Sequence, residues 1–218
     1  MENCYETVGN GNGDHHNPNG KKYSINHPFR AIISGPSGTG KTNALLNLIN
    51  KLNCHENFYL FVKLIGDDPL YDEVLVKRIR ETESKCNADI LMKYSDCLED
   101  LPNVISDEID SSFQNIFVFD DMLDEDAKNL KKIKSYFTKM RKRNCSMVFI
   151  TQDYFSCPKV IRRNCNINIF TKNKSEKDLQ NIYQEHAKND FPNFDEFKKM
   201  FKEATENNQD VLIINNHK

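Results

Sequence analysis

The stretch Gly35-Pro36-Ser37-Gly38-Thr39-Gly40-Lys41-Thr42 restricts what this chain can fold into more than any other. Its fixed positions, Gly35, Gly40, Lys41 and Thr42, read Gly-x-x-x-x-Gly-Lys-Thr. A polyphosphate is held by several backbone N–H groups converging on it, and glycine lets the main chain wrap that tightly. A helix opening directly after the loop adds its positive N-terminal end. In that geometry Lys41 reaches the β- and γ-phosphates and the Thr42 hydroxyl ligates Mg²⁺, so Gly35 to Thr42 is expected to bind a nucleoside triphosphate. With glycine at about 7% of residues, chance produces these four positions in fewer than about one chain in a hundred of this length. The flanks agree with the chemistry. Ala31-Ile32-Ile33-Ser34 predicts a strand before the loop, and Leu45, Leu48, Ile49 and Leu52 mark one apolar face of a helix after it.

The rest of the chain alternates in the same way. Apolar runs at Phe58–Val62, Ile90–Met92, Asn115–Phe119, Ser146–Ile150 and Ile167–Phe170 predict strands. Between them lie helical patterns at Pro69–Ile79 and at Leu130, Ile133, Phe137 and Met140. Ser175 with Asp178 predicts a helix start by capping, and Phe194, Phe197, Phe201 and Ala204 mark a last helix before the apolar run Val211–Ile214. Strands alternating with helices imply an α/β fold, a mostly parallel sheet with helices on both faces, of the RecA/ASCE-like P-loop NTPase kind. Residues 1–27, rich in Gly, Asn and His, predict a flexible polar arm, and residues 28–218 the P-loop ATPase domain.

At 218 residues and a formal net charge of −2, the chain suits one domain and carries no global basic field. Seven cysteines form no Cys-x-x-Cys pair and none falls at zinc-ligand spacing with a His, which argues against a metalloenzyme. The odd count and the lack of a signal peptide point to reduced thiols inside a cell. No apolar run reaches the length of a membrane span.

Hydrolysis needs an acid to hold Mg²⁺ and a group to orient the attacking water. Asp120, ending a buried strand, suits the first role and Asp121 the second. Two adjacent carboxylates after four apolar residues are costly near a core without a cation. The plainer alternative is that Asp121, or Asp124, caps the following helix. Thr151-Gln152 ends the next strand similarly, and Gln152 is the candidate sensor of the γ-phosphate. A GTPase reading would want Asp-x-x-Gly after the acids, which is missing. Asn173-Lys174-Ser175-Glu176 departs from the guanine-reading Asn-Lys-x-Asp at its last position. A small-molecule kinase would place arginines in a mobile lid that is not visible here. A nucleotide-gated scaffold with little turnover stays open at this point.

The residues Pro28-Phe29-Arg30, Phe119-Asp120-Asp121, Phe149-Ile150-Thr151-Gln152-Asp153-Tyr154-Phe155 and Cys157-Pro158-Lys159-Val160-Ile161-Arg162-Arg163-Asn164-Cys165 resemble the poxvirus-type genome-packaging ATPases. That family belongs to the FtsK–HerA superfamily and occurs in large DNA viruses, virophages and Maverick/Polinton elements. One departure is that many FtsK–HerA relatives have Asp-Glu where this chain has Asp120-Asp121. The resemblance implies an Mg²⁺-dependent ATPase that translocates double-stranded DNA, without regard to its sequence, into a capsid. It also implies a homo-oligomeric ring, expected to be a hexamer, docked on a capsid or portal-vertex protein. The setting would be host cytoplasm or nucleus, at sites of virion assembly. In such a ring a neighbour supplies an Arg to the developing charge on the γ-phosphoryl oxygens. Candidates are Arg141, Arg143, Arg162 and Arg163, with the second pair favoured. The basic run from Lys131 to Arg143 reads most simply as a solvated helix face, though copies around a pore would accumulate phosphate contacts.

Overall fold

The apolar runs become seven strands of one sheet. The computed structural model describes residues 19–86, 90–207 and 209–216. Strands β1 (Arg30–Ser34), β2 (Asn57–Val62), β3 (Met92–Ser95), β4 (Asn115–Asp120), β5 (Cys145–Thr151), β6 (Ile167–Phe170) and β7 (Leu212–Asn215) lie in the order β3-β2-β4-β5-β1-β6-β7. Every neighbouring pair is parallel except β6 and β7. Parallel neighbours require crossovers, and these carry α2 (Lys41–Leu52), α3 (Lys77–Cys86), α4 (Ala127–Lys139) and α5 (Lys159–Asn164). A short α1 (Gly20–Tyr23) precedes the sheet, and α6 (Glu176–Ile182) and α7 (Phe194–Ala204) follow β6.

The two-residue period of the strands sorts their side chains into two cores. Tyr59 and Phe61 of β2, Phe117 and Phe119 of β4, and Met147 and Phe149 of β5 face α4, α5, α6 and α7. Phe58, Leu60, Val62, Ile116, Val118, Val148 and Ile150 face the other way, onto Leu45, Leu48, Ile49 and Leu52 of α2. The first core is aromatic: Tyr59 stacks on Phe117 with centroids 4.1 Å apart and planes 7° from parallel. Truncating a fully buried ring such as Phe119 would cost about 3–5 kcal/mol, because the strands on either side hold the cavity open.

Strand β5 lies between β4 and β1, so its end at Thr151-Gln152 falls beside the phosphate loop that follows β1. Its register pairs Ser34 with Thr151 and Ile150 with Asp120, so three strand ends deliver their polar residues to one edge of the sheet.

Three expectations change in detail. β3 begins at Met92 rather than Ile90, and Leu91 is 48% exposed. The predicted Pro69–Ile79 helix forms, but its first part, Leu70–Val76, is wound as a π-helix before α3 begins. The polar arm does not extend to residue 27. Residues 1–18 lie outside the described residues, but Gly20–Tyr23 is helical and Ile25 is 2% exposed against the core of α2. Asn19 donates to the Lys51 carbonyl at 2.7 Å. The His27 ring is held by Asn144 at 2.7 Å and by Ser146 at 2.9 Å. A few anchoring side chains in a polar segment thus outweigh its average composition.

Candidate active site

The phosphate loop is shaped by glycines where the backbone leaves the right-handed region. Gly38 and Gly40 have φ of 73° and 89°. Gly35 is required for a different reason: a Cβ there would lie 1.9 Å from the Thr171 Oγ1. That hydroxyl sits at the end of β6 and meets the Thr39 Oγ1 at 2.6 Å, while Thr39 donates to the Pro36 carbonyl at 2.7 Å. The loop is therefore pinned from the side by β6. Gly40 is the N-cap of α2 and brings no side chain, which leaves the first amides of the helix to an anion. Lys41 Nζ donates to the Pro36 carbonyl at 3.0 Å, folding the ammonium across the loop. Burial lowers its pKa, and Asp120 and Asp121 oppose that shift.

The acid pair faces it. Asp120 ends β4, where burial pushes its carboxyl up, against the pull of the Tyr71 hydroxyl and Lys41. Asp121 and Asp68 push in the same direction as burial. Tyr71 donates to Asp120 Oδ2 at 2.5 Å. Asp121 turns left-handed at φ 57°, which Asp tolerates better than most residues, and its amide returns to the Ile150 carbonyl at 3.2 Å. This turn ends β4 and aims Asp121 toward Gln152, whose amide donates to Asp121 Oδ2 at 3.4 Å. Neither Asp121 nor Asp124 caps α4. Asp126 does, accepting from the Asn129 amide at 2.7 Å. Asp124 instead pairs with Lys63 at 2.7 Å on the surface.

Lys41, Thr42, Asp120, Asp121 and Gln152 all line one cleft of about 410 Å³ with Ser37, Gly38 and Gly40. The donors suit Mg²⁺: the Thr42 hydroxyl and the Asp120 carboxylate are hard oxygen ligands. The cleft also holds Asp67, Asp68 and Tyr71, none of which the sequence singled out. They sit in the connection after β2, and only the sheet order, which sets β2 beside β4, brings that connection to the site.

The candidate arginines do not join this cleft. Arg162 pairs with Glu185 at 2.5 Å and lies over the rings of Tyr154 and Phe155, 5.4 and 5.1 Å from their centroids. Arg143 donates to the carbonyls of Val104, Ser106 and Ile109 at 2.8–3.0 Å. Arg141 and Arg163 are exposed. In the basic run, Lys131, Lys139 and Lys142 are also exposed, whereas Lys132 donates to the Leu98 carbonyl at 2.7 Å. The Asn173 side chain is spent locally, accepting from the Ser175 amide at 2.8 Å, and Ser175 caps α6. The fold brings His27, Cys54 and His55 within 4.8 Å of one another, but both His27 ring nitrogens are engaged by Asn144 and Ser146. The described cysteines, Cys54, Cys97, Cys145, Cys157 and Cys165, are free thiols. No helix among the described residues is long and apolar enough to cross a membrane.

Among solved structures the chain is similar to the DNA-packaging ATPase B204 from Sulfolobus turreted icosahedral virus, at 12% identity and a TM-score of 0.54. That match covers 87% of this chain and 98% of B204. It is also similar to the genome packaging NTPase B204 from Sulfolobus turreted icosahedral virus 2 in complex with AMPPCP, at 13% identity and a TM-score of 0.57, over 87% and 98% of the two chains. The ATP-γS complex of that NTPase matches with a TM-score of 0.53 at 13% identity, over 87% of this chain and 92% of that one. At these identities the likeness establishes the fold. None of the curated proteins matches by sequence. The family model described as Poxvirus A32 protein matches residues 20–217, from α1 to beyond β7. A chain matched over nearly all its length, folded as a P-loop NTPase with the cleft just described, belongs to the poxvirus A32 family.

Proposed function

We propose that this chain is the ATPase of a viral genome-packaging motor, hydrolysing ATP to drive double-stranded DNA into a capsid. The observation that carries the reading is the convergence of Lys41, Thr42, Asp120, Asp121 and Gln152 from three strand ends on one cleft. Loop amides and Lys41 hold the phosphates, and Thr42 with Asp120 hold Mg²⁺. The cation, when bound, shields the phosphate charge that repels an incoming nucleophile. Asp121 and Gln152, already in contact, orient the attacking water and register whether the γ-phosphate is present. This pair favours a hydrolase over a scaffold, since holding a nucleotide does not require a water-orienting acid.

In the same reading the chain works as a ring, a hexamer by resemblance to its superfamily, with an exposed Arg of one subunit completing the site of the next. Exposed Lys131, Lys139, Arg141 and Lys142 provide phosphate contacts that accumulate over several subunits and ignore base sequence. A capsid or portal-vertex protein receives the ring where virions assemble inside the host cell. The test is ATPase turnover with and without duplex DNA, run beside a mass measurement of the assembly. Lys41→Ala should abolish turnover, Asp120→Asn should reduce it at least about 100-fold, and DNA should stimulate the unaltered chain. Normal turnover in Lys41→Ala would remove the site. A monomer indifferent to DNA would remove the motor.

A further inference from the structure

We infer that Tyr71 is a positioning residue for the cation site, holding the carboxylate of Asp120 in the orientation that Mg²⁺ meets beside Thr42; this rests on the ATPase reading. The Tyr71 ring is 2% exposed and packs in the core beneath α2, yet its hydroxyl reaches the cleft. There it donates to Asp120 Oδ2 at 2.5 Å, in the cleft that Thr42 also lines. One phenol from the connection after β2 therefore fixes a carboxylate at the end of β4, beside the Thr42 hydroxyl in the first turn of α2.

A carboxylate at a strand end can rotate about two torsions unless a donor fixes it. By committing Oδ2 to a donor, Tyr71 leaves Oδ1 to face the cation. Groups that orient metal ligands in this way typically change metal affinity about 10- to 100-fold when removed. The backbone supports the same conclusion. Tyr71 lies in the first turn of the Leu70–Val76 π-helix, with Asp68 just before it accepting from the Leu70 amide at 3.0 Å. A wide turn that costs regular helix geometry is often kept where it places a side chain for function.

Tyr71→Phe keeps the buried ring and removes only the hydroxyl, and Tyr71→Met is a second filler without a donor. In the full chain, binding of a fluorescent ATP analogue is titrated with and without Mg²⁺, and turnover is followed against Mg²⁺ concentration. Tyr71→Phe is expected to bind the analogue normally without Mg²⁺. It should need at least about tenfold more Mg²⁺ for half-maximal tightening and for half-maximal turnover, with turnover at saturating Mg²⁺ changed much less. Tyr71→Met should show the same shift. An unchanged Mg²⁺ dependence in both variants, or an equal loss with and without Mg²⁺, overturns the assignment while leaving the ATPase reading intact. If the unaltered chain binds no nucleotide, the ATPase reading fails and Tyr71 with it.

Discussion

A Cβ on Gly35 would sit 1.9 Å from the Thr171 Oγ1, far inside any contact distance, and the obstacle is a side chain fixed to a strand. Thr171 cannot swing aside cheaply, because its amide bonds the Ser34 carbonyl at 2.9 Å and its hydroxyl holds Thr39. Gly35→Ala should therefore push the loop away from β6 and weaken binding of an ATP analogue by at least about tenfold, an effect of roughly 1.4 kcal/mol. Thr171→Ala removes the offending oxygen, so the double variant should recover part of the loss, the remainder reflecting the unusual φ of 157°. Binding that is no better in the double variant than in Gly35→Ala would mean that Thr171 is not the obstacle. The motif pattern marks Gly35 as required but says nothing of Thr171, 136 positions away along the chain, because a close approach between strands leaves no local spacing to read.

Between α2 and β2 the chain turns through His55, whose ring meets His27, Phe29 and Phe58 with centroids 5.3, 5.7 and 6.3 Å away. Burial, with His27 nearby, holds its pKa well below the ordinary 6.5. Burial likewise lowers that of His186, whose ring bonds the Tyr154 hydroxyl at 2.7 Å. Folded-state values below the unfolded ones mean that the unfolded chain takes up more protons as the pH drops. The stability from these groups is complete above pH ~6.5 and is lost below it, at up to about 1.4 kcal/mol per pH unit for each. The thermal midpoint should fall between pH 7 and 5.5, and His55→Phe should make that fall shallower. A slope unchanged by His55→Phe would locate the proton uptake elsewhere. At this scale the sequence is read well where apolar periodicity is strong. α2, β4 and β5 were all visible, because each buries a full face. It is read poorly where one or two anchors decide, as with Ile25 in the polar N-terminal segment, or where Leu91 is apolar but not covered. The π-helix after Pro69 has no period of its own that would distinguish it from an α-helix.

For the whole molecule, the direction of α5 bears on which arginine a neighbour could use. The helix starts after Gln152 on the nucleotide edge of the sheet and ends at Asn164, beside residues at the opposite edge. There the Asn166 side chain accepts from the Arg30 amide at 2.7 Å, at the opening of β1. Arg163 is exposed and does not line its own cleft, so in the proposed ring its action on a phosphate is expected in trans. Arg162, one residue earlier, is committed within its own subunit to Glu185, to the Cys157 carbonyl at 3.2 Å and to the rings of Tyr154 and Phe155. It braces the loop that carries Gln152. In the proposed ring, the pair that the sequence left undivided is therefore predicted to separate into Arg163, offered to a neighbour, and Arg162, acting in cis. Mixed assemblies distinguish them. Arg163→Ala has an intact site and lacks only what it offers next door, whereas Lys41→Ala has a dead site and an intact surface. An equal mixture of the two should turn over ATP faster than the mean of the variants assayed alone, because sites with intact Lys41 then meet neighbours with intact Arg163. Arg162→Ala mixed with Lys41→Ala should show no such gain, since its defect stays in its own loop. A gain with Arg162→Ala and none with Arg163→Ala would reverse the assignment and make Arg162 the group that leaves its ion pair to serve the adjacent site.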